Sequence, residues 1–482
     1  MERLGPRSCF IDAATERTLG ADELPRLIAG FAANLLSARL RPGDRMLIGC
    51  ALSPASTVAY LGAIYAGLVA VPVDERTLLT SASLLAEATC AKAIWTEGGL
   101  RREDSSDTSL LSLKGLAEGS TEVIPPTPRE ASDLAALMAT SGSTGVPRFV
   151  MVTHGNLLAN TEAIVRSMAL ANDERAMLIL PVSYCFGASL VHTHLIQGGS
   201  IVFDRRFMFP DKVLQAVDQF ACTTFAGVPT VYNVLLRRSH IRQMRLTGLR
   251  RFLQAGGSLP RERVSEMREM FPHAKFFVMY GQTEATARIS CMDPNRWPEK
   301  EGSVGQPLDN LTISIVDDEE NLLAPGQIGQ LTVSGPSVCS GYFNDPEESR
   351  RVFSNGTLRT GDLARQDDEG FLWIEGRTGA FLKIRGSRVS FAEVEARVAE
   401  ISGVYECGAC AVEHPEAGEA LVLLIVPDHG TTLTADEIHH RLPAHWTLDS
   451  IRLVSELPKT SSGKIARSEL SAMSKELHAA DR

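Results

Sequence analysis

Several short segments of this sequence combine residue types suited to work on a phosphate-bearing substrate. Thr140-Ser141-Gly142-Ser143-Thr144-Gly145-Val146-Pro147-Arg148 is the densest. Its glycines let backbone N–H groups turn toward an anion, its hydroxyls donate, and Arg148 adds charge, so the segment suits a polyphosphate cradle. A flexible Ser/Gly loop explains the same segment equally well when it is read alone. The G-x-x-x-x-G-K-[ST] spacing is absent, because Gly463-Lys464 is followed by Ile465 and lacks the upstream glycine, which argues against a P-loop kinase or NTPase. Taken singly, Glu284 reads as a surface carboxylate, Asp362 as a turn residue and Lys464 as a solvated side chain.

The order of the segments changes their weight. The Thr140–Arg148 loop, Tyr280-Gly281-Gln282-Thr283-Glu284, Thr360-Gly361-Asp362, Gly376-Arg377 with Lys383-Ile384-Arg385-Gly386, and Pro458-Lys459-Thr460-Ser461-Ser462-Gly463-Lys464 follow one another along the chain. They resemble, in order and approximate spacing, the motifs of adenylate-forming (AMP-binding) enzymes: acyl-CoA synthetases, aryl acid ligases, luciferases and adenylation domains. Arg41-Pro42-Gly43-Asp44 and His414-Pro415 match weaker positions, so the likeness covers nearly the whole chain. It implies ATP and Mg2+ as cofactors. It implies a reaction in which a carboxylate attacks the α-phosphate and pyrophosphate leaves, so cations and donors must neutralise charge where two anions meet. By the same resemblance Glu284 is the magnesium ligand, Thr283 contacts the α-phosphate, Tyr280 packs on adenine beside Gly281 and Gln282, and Asp362 accepts from the ribose hydroxyls. Arg377 adds to ribose or phosphate binding, Gly256 and Gly257 border the nucleotide, and Lys464 reaches the carboxylate and α-phosphate. The small C-terminal domain is then expected to rotate between two half-reactions.

The departures from that pattern concern loop, hinge and substrate. Arg148-Phe149 stands where Lys-Gly is usual; arginine keeps the charge but offers a planar fork rather than a point charge. Gly379 replaces the usual Asp or Lys at the hinge, a more permissive backbone unit. Pro181-Val182-Ser183-Tyr184-Cys185-Phe186-Gly187 takes the place of P-L-F-H-x-x-G, with Tyr184 at the gate. Phe186-Gly187-Ala188-Ser189 lacks the aspartate that holds a substrate ammonium in amino-acid-activating relatives. A buried ammonium without an anion is costly, so the expected acid has no α-amino group. The acyl pocket is expected to involve Tyr184, Phe186, Gly187, Ala226, Gly227, Val228, Pro229 and Met279, an apolar set favouring a hydrophobic or cyclic acid. His192 and His194 lie nearby, with a packed helix face as the alternative.

Positioning these segments needs a sizeable scaffold. At 482 residues the chain exceeds one core, so two or more domains are expected. Apolar runs at Leu134–Met138, Phe149–Val152, Met177–Leu180, Ile201–Phe203, Thr223–Ala226, Phe252–Gln254 and Phe276–Met279 alternate with helical patterns. The pattern predicts an α/β fold with parallel sheets in a large multi-layer N-terminal domain, residues 1–377. Beyond Pro298, the runs Leu311–Val316, Gly329–Val333 and Phe371–Glu375 predict a small antiparallel subdomain. Residues 378–482 are expected to form a small mobile α+β C-terminal domain, with a helix over Phe391–Ile401. Arg101–Arg129 reads as a polar surface connection.

Bulk properties narrow the class. The net charge of −10 and the absence of a basic stripe argue against nucleic acid and anionic membrane; Arg237-Arg238 and Arg250-Arg251 read as solvated helix faces. No apolar run reaches the roughly 18 residues of a membrane span, and Met1–Cys9 lacks a signal pattern, so a cytoplasmic protein is expected. Nine scattered cysteines fit reduced thiols, and Cys407-x-x-Cys410 lies in a strand-like apolar run rather than a metal framework. The expected partners are a small carboxylic acid and an acceptor, the protein itself being monomer or homodimer. Coenzyme A or a carrier-protein pantetheine makes a thioester; an amino acid or amine makes an amide, as in coronafacate-ligase-type relatives. The compact chain suggests a free-standing enzyme with a separate acceptor. A non-catalytic nucleotide-binding relative is the third reading, against which Glu284, Asp362 and Lys464 speak.

Overall fold

The computed structural model describes residues 8–98, 111–114, 124–140, 147–377, 381–384, 387–414, 418–428, 430–442, 448–459 and 465–479. Two large sheets dominate. In the nine-stranded one, Lys275–Tyr280, Arg251–Gln254, Thr224–Gly227, Arg175–Leu178, Ser200–Phe203 and Phe10–Asp12 run parallel, and short antiparallel strands close both edges. In the six-stranded one, Leu111–Lys114, Ala91–Thr96, Arg45–Cys50, Val69–Asp74 and Leu134–Thr140 are parallel, and Arg148–Thr153 adds an antiparallel edge. The strands expected from apolar runs are all present, most with a boundary moved by one or two residues. Arg101–Arg129 departs from expectation: its Leu111–Lys114 strand extends the six-stranded sheet.

One core joins both sheets, drawing on Phe10, Phe225 and Phe276 from one and Met46, Trp95 and Val150 from the other. The helix Cys185–Ile196 carries buried residues on every face, which identifies it as an inner layer. Its neighbour His154–Met168 starts with a capping box, Thr153 and Asn156 each bonding the other's backbone N–H. The outer face of the six-stranded sheet packs Leu47, Val71 and Phe149 against the helix Glu75–Thr89. Phe149 is therefore a core residue, which accounts for an aromatic where glycine is usual.

A five-stranded antiparallel sheet follows, holding Thr312–Val316, Gly329–Ser334, Thr357–Gln366 and Leu372–Arg377. Thr360-Gly361-Asp362 sits inside the strand Thr357–Gln366 rather than in a turn, with Gly361 at φ +73°. The C-terminal part contains the hairpin Phe381–Ile384/Ser387–Ser390 and a three-stranded sheet of Val404–His414, Gly418–Pro427 and Leu448–Leu453. Cys407 and Cys410 enter clusters on opposite faces of that sheet, as an odd spacing on a strand requires, so they do not form a pair.

Only one arginine of each pair is solvated: Arg238 and Arg250 are exposed, whereas Arg237 and Arg251 are drawn in by carboxylates. Arg251, with its side chain 11% exposed, is neutralised by the buried Glu174, and Arg250 lies 2.7 Å from Asp173. Arg237 bridges to the C-terminal part, 2.6 Å from Asp428 and within bonding distance of the Val404 carbonyl, while Arg237 and Arg238 both lie over the Tyr405 ring. Among the described residues no helix is long and apolar enough to cross a membrane.

Candidate active site

The site forms where the parallel strands of the nine-stranded sheet end, the place open α/β sheets offer to ligands. Lys275–Tyr280 delivers Tyr280 to that edge. At Gly281 an added Cβ would stand 1.9 Å from the Ala287 carbonyl oxygen, so glycine is what lets the chain double back. The turn Thr283–Ala285 follows and is pinned from behind: Thr286 Oγ1 donates to the Ser337 carbonyl at 2.7 Å, and the Cys339 N–H donates to the Glu284 carbonyl at 2.9 Å.

Tyr280 and Arg377 meet on one carboxylate. Asp362 is 5% exposed; its Oδ2 accepts from the Tyr280 hydroxyl at 2.5 Å and its Oδ1 from Arg377 Nε at 3.0 Å. Burial, reinforced by Asp362, pushes the Tyr280 phenol well above its usual range, so it remains a donor. The Asp362 charge also raises Arg377. Beside them, Gln282 Nε2 is a buried donor with no partner among the described residues.

Glu284 Oε1 accepts from the Tyr342 hydroxyl at 2.8 Å, and among the described residues the carboxylate forms no ion pair. Burial, then Glu284, raises the Tyr342 phenol above its usual range, so the hydroxyl remains a donor in this contact. An uncompensated carboxylate and an orphaned donor fit the two groups expected here: oxygen ligation of Mg2+ by Glu284, and a hydrogen bond from Gln282 to a nucleotide.

Arg148 is engaged elsewhere. Its Nη1 lies 2.8 Å from Glu348 and its Nε 3.6 Å from Asp345, with the guanidinium over the Tyr342 ring. Thr140 Oγ1 reaches the Arg148 carbonyl at 3.5 Å, closing the base of the loop. Ser141, Gly142, Ser143, Thr144, Gly145 and Lys464 lie outside the described residues, as do Gly379 and Arg385-Gly386.

A small cavity beside Gly281 is lined by Tyr184, Phe186, Gly256 and Gly281 among the residues expected from the sequence. Cys185, Ser189, Ala255, Ala287 and Arg288 complete it. Gly256 adopts φ +88°, and Gln254 Nε2 holds the following carbonyl of Gly257 at 2.8 Å. Gly187, Ala226, Gly227, Val228, Pro229, Met279 and Gly257 are not on its wall. Ala226 and Val228 are packed into the core, and a Cβ on Gly187 would meet the Pro181 carbonyl oxygen at 2.2 Å. A second small cavity shares Cys185, Ser189 and Ala287 with the first and adds Tyr60, Asn160 and His192. His192 Nε2 lies 3.1 Å from the Tyr60 hydroxyl, whereas His194 is a packed core residue bonded to the Leu190 carbonyl.

Sequence reasoning missed Arg288, Asn160 and Tyr60. The available signal was Arg288 itself, a charge between Ala287 and Ile289, two residues before the strand Ser290–Cys291, with no acidic residue adjoining it.

Comparisons with known proteins identify the family. Residues 2–343 match the AMP-binding enzyme family, and residues 393–464 match the AMP-binding enzyme C-terminal domain. The chain is 30% identical to a feruloyl-CoA synthase from Amycolatopsis sp over 461 residues, covering 93% of this chain and 92% of that protein. The crystal structure of ATP-bound MatB from Rhodopseudomonas palustris superposes with a TM-score of 0.88 at 25% identity, covering 98% of this chain and 97% of that one. The o-succinylbenzoate CoA synthetase MenE from Bacillus subtilis, solved with its acyl-adenylate intermediate OSB-AMP, gives a TM-score of 0.84 at 25% identity over 97% and 96% of the two chains.

Proposed function

We infer the reaction from one premise: this chain belongs to the AMP-binding enzyme family and is an ATP-dependent, AMP-forming ligase that uses ATP and Mg2+. It activates a carboxylic acid lacking an α-amino group as the acyl adenylate, releasing pyrophosphate. It then passes the acyl group to the thiol of coenzyme A and releases AMP. The observation that carries the reading is the meeting of Asp362 and Arg377 with Tyr280, whose segment also carries Glu284, a carboxylate with no ion pair among the described residues.

Each group has a role its chemistry suits. Asp362, held by Tyr280 and Arg377, keeps acceptor capacity for ribose hydroxyls, since a carboxylate offers more lone pairs than two donors consume. Bound Mg2+ would supply positive charge to the phosphate oxygens, and Glu284 would be its protein ligand. Thr283, in the same turn, presents a hydroxyl toward the α-phosphate. Lys464 would bring a point charge from the C-terminal part to the reacting carboxylate. Residues 1–377 form the large domain and 378–482 the one that rotates, with Arg377 at the hinge.

Two features support an acid without an ammonium. Neither cavity has an Asp or Glu on its wall. Gly187, near the position of the amino-acid enzymes' aspartate, has no room for any side chain. Coenzyme A as acceptor is supported by the relatives named as coenzyme A ligases and synthases.

The test is ATP–pyrophosphate exchange over a panel of short-chain, aryl, cyclic and amino acids, followed by mass spectrometry with coenzyme A or amino acids as acceptor. Exchange with non-amino acids and accumulation of acyl-CoA with AMP is expected. Exchange confined to amino acids, or an acyl amide as product, would overturn the assignment. Lys464→Ala is expected to abolish exchange.

A further inference from the structure

Arg288 is a buried cation without an anion. It is 2% exposed, and its backbone is clamped on both sides by Asn160, which accepts from the Arg288 N–H at 3.2 Å and donates to its carbonyl at 2.8 Å. The guanidinium lies 5.6 Å from the Phe186 ring centroid, and its Nη1 lies 3.9 Å from the Met168 sulfur. The Cys291 thiol is also close, and burial pushes that thiol above its usual range, so it stays protonated. Among the described residues Arg288 forms no ion pair, although Arg251, a less deeply buried arginine of the same domain, is neutralised by Glu174. A buried, unpaired guanidinium is costly, and a ligand that neutralises it recovers that cost.

The position of this charge gives it a use. Arg288 lines the cavity formed with Tyr184, Gly256 and Gly281, and that wall includes no Asp or Glu. We propose that Arg288 is the specificity-determining residue of the acyl pocket and binds a second, non-reacting carboxylate of the substrate, so the acid is a compact dicarboxylic acid. The proposal rests on the adenylation reading above. The planar fork of arginine accepts a carboxylate through two parallel N–H···O bonds, a geometry lysine cannot copy. With Arg288 holding one carboxylate, the other is free to face the nucleotide at the Gly281 end of the cavity. Nothing in the chemistry of adenylation changes, since the bound carboxylate neither gains nor loses a bond.

The experiment compares dicarboxylic acids of three to eight carbons, together with phthalic acid, against the monoamide of each, which keeps the shape and removes one charge. In ATP–pyrophosphate exchange, kcat/KM for the best dicarboxylic acid should exceed that of its monoamide by about 100-fold or more. Arg288→Met should raise the KM of that acid by a similar factor, erase the preference and leave the KM for ATP unchanged; Arg288→Lys should restore part of it. The dicarboxylic acid alone should raise the Tm of the wild-type protein, and its monoamide should not. That binding readout decides the matter even if Arg288→Met fails to fold. Exchange with neutral monocarboxylic acids in preference to dicarboxylic ones overturns the proposal and leaves adenylation standing, as does an unchanged preference in folded Arg288→Met. No exchange with any acid removes the adenylation reading and this inference with it.

Discussion

Asp362 and Arg377 face each other across directly paired strands, and the Arg377 Nε donates to Asp362 Oδ1 at 3.0 Å. Asp362 is buried while the Arg377 side chain is 70% exposed, so the carboxylate is the fixed member and the arginine the adjustable one. Because Arg377 is the last residue of its strand, the bond ties Asp362 to the start of the proposed hinge. Asp362→Asn keeps the shape and removes the charge. It should raise the KM for ATP by about 10- to 100-fold, the usual worth of hydrogen bonds to a charged group. Exchange kinetics at varied ATP check this; an unchanged KM would remove Asp362 from the nucleotide site.

Glu284 and Tyr342 give a graded pair of variants. Glu284→Gln removes the charge expected to ligate Mg2+ and should shift the magnesium requirement of exchange upward by tenfold or more, roughly the effect of losing one charged ligand. Tyr342→Phe removes only the hydroxyl that orients Glu284 at 2.8 Å. Its effect should be smaller, about threefold to tenfold, in keeping with one hydrogen bond acting through a ligand. Magnesium titrations of both variants should therefore rank Glu284→Gln above Tyr342→Phe; the reverse order would place the metal elsewhere.

The strands that carry these residues were legible because they are short, apolar and continuous, as strands buried on both faces must be. Motif residues were legible where their chemistry is local: Gly281 must be glycine to pass Ala287, and Glu284 follows it in the same turn. The cavity proposed for the acyl group was less legible, because its wall is assembled from segments far apart in sequence. Val228 and Ala226 have the apolar character of a pocket, yet they fill the core. Arg288 has the character of a surface residue, yet Asn160, 128 positions away, holds it inside. Arg237 and Arg251 looked like solvated charges for the same reason: their partners Asp428 and Glu174 are 191 and 77 residues distant.

Arg237 makes a prediction about domain arrangement. It joins the helix Pro229–Arg238 to Asp428, the Val404 carbonyl and the Tyr405 ring, with its side chain 12% exposed. Arg237→Ala deletes all three contacts without emptying the core of either part. The expected result is faster limited proteolysis between residues 377 and 391 and a larger radius of gyration, with the unfolding temperature of the large part unchanged. Asp428→Ala should act in the same direction but less, and the double variant should add little to Arg237→Ala, which already removes the contact the two residues share. Full additivity would mean that the two residues do not act on each other.

His192 and His194 make the folded protein sensitive to acid. Burial lowers both from an ordinary 6.5 to about 4. His194 donates from Nδ1 to the Leu190 carbonyl at 2.8 Å while its buried Nε2 has no partner, the arrangement of a neutral ring. The folded values lie below the unfolded ones, so as pH falls the unfolded chain takes up these protons first. Stability that is fully present above pH 6.5 is therefore lost between about 6.5 and 4, by up to about 3 kcal/mol for each ring. Urea midpoints should hold steady from pH 8 to 7 and then fall. Carboxylates contribute to the lower part of that fall, so the wild-type curve alone cannot assign it. His194→Leu isolates the histidine: it places an apolar side chain in an apolar slot and should flatten the slope of stability against pH between 6.5 and 4.5 by about one proton. Parallel curves for the variant and the wild type would mean that His194 already carries its proton in the folded state.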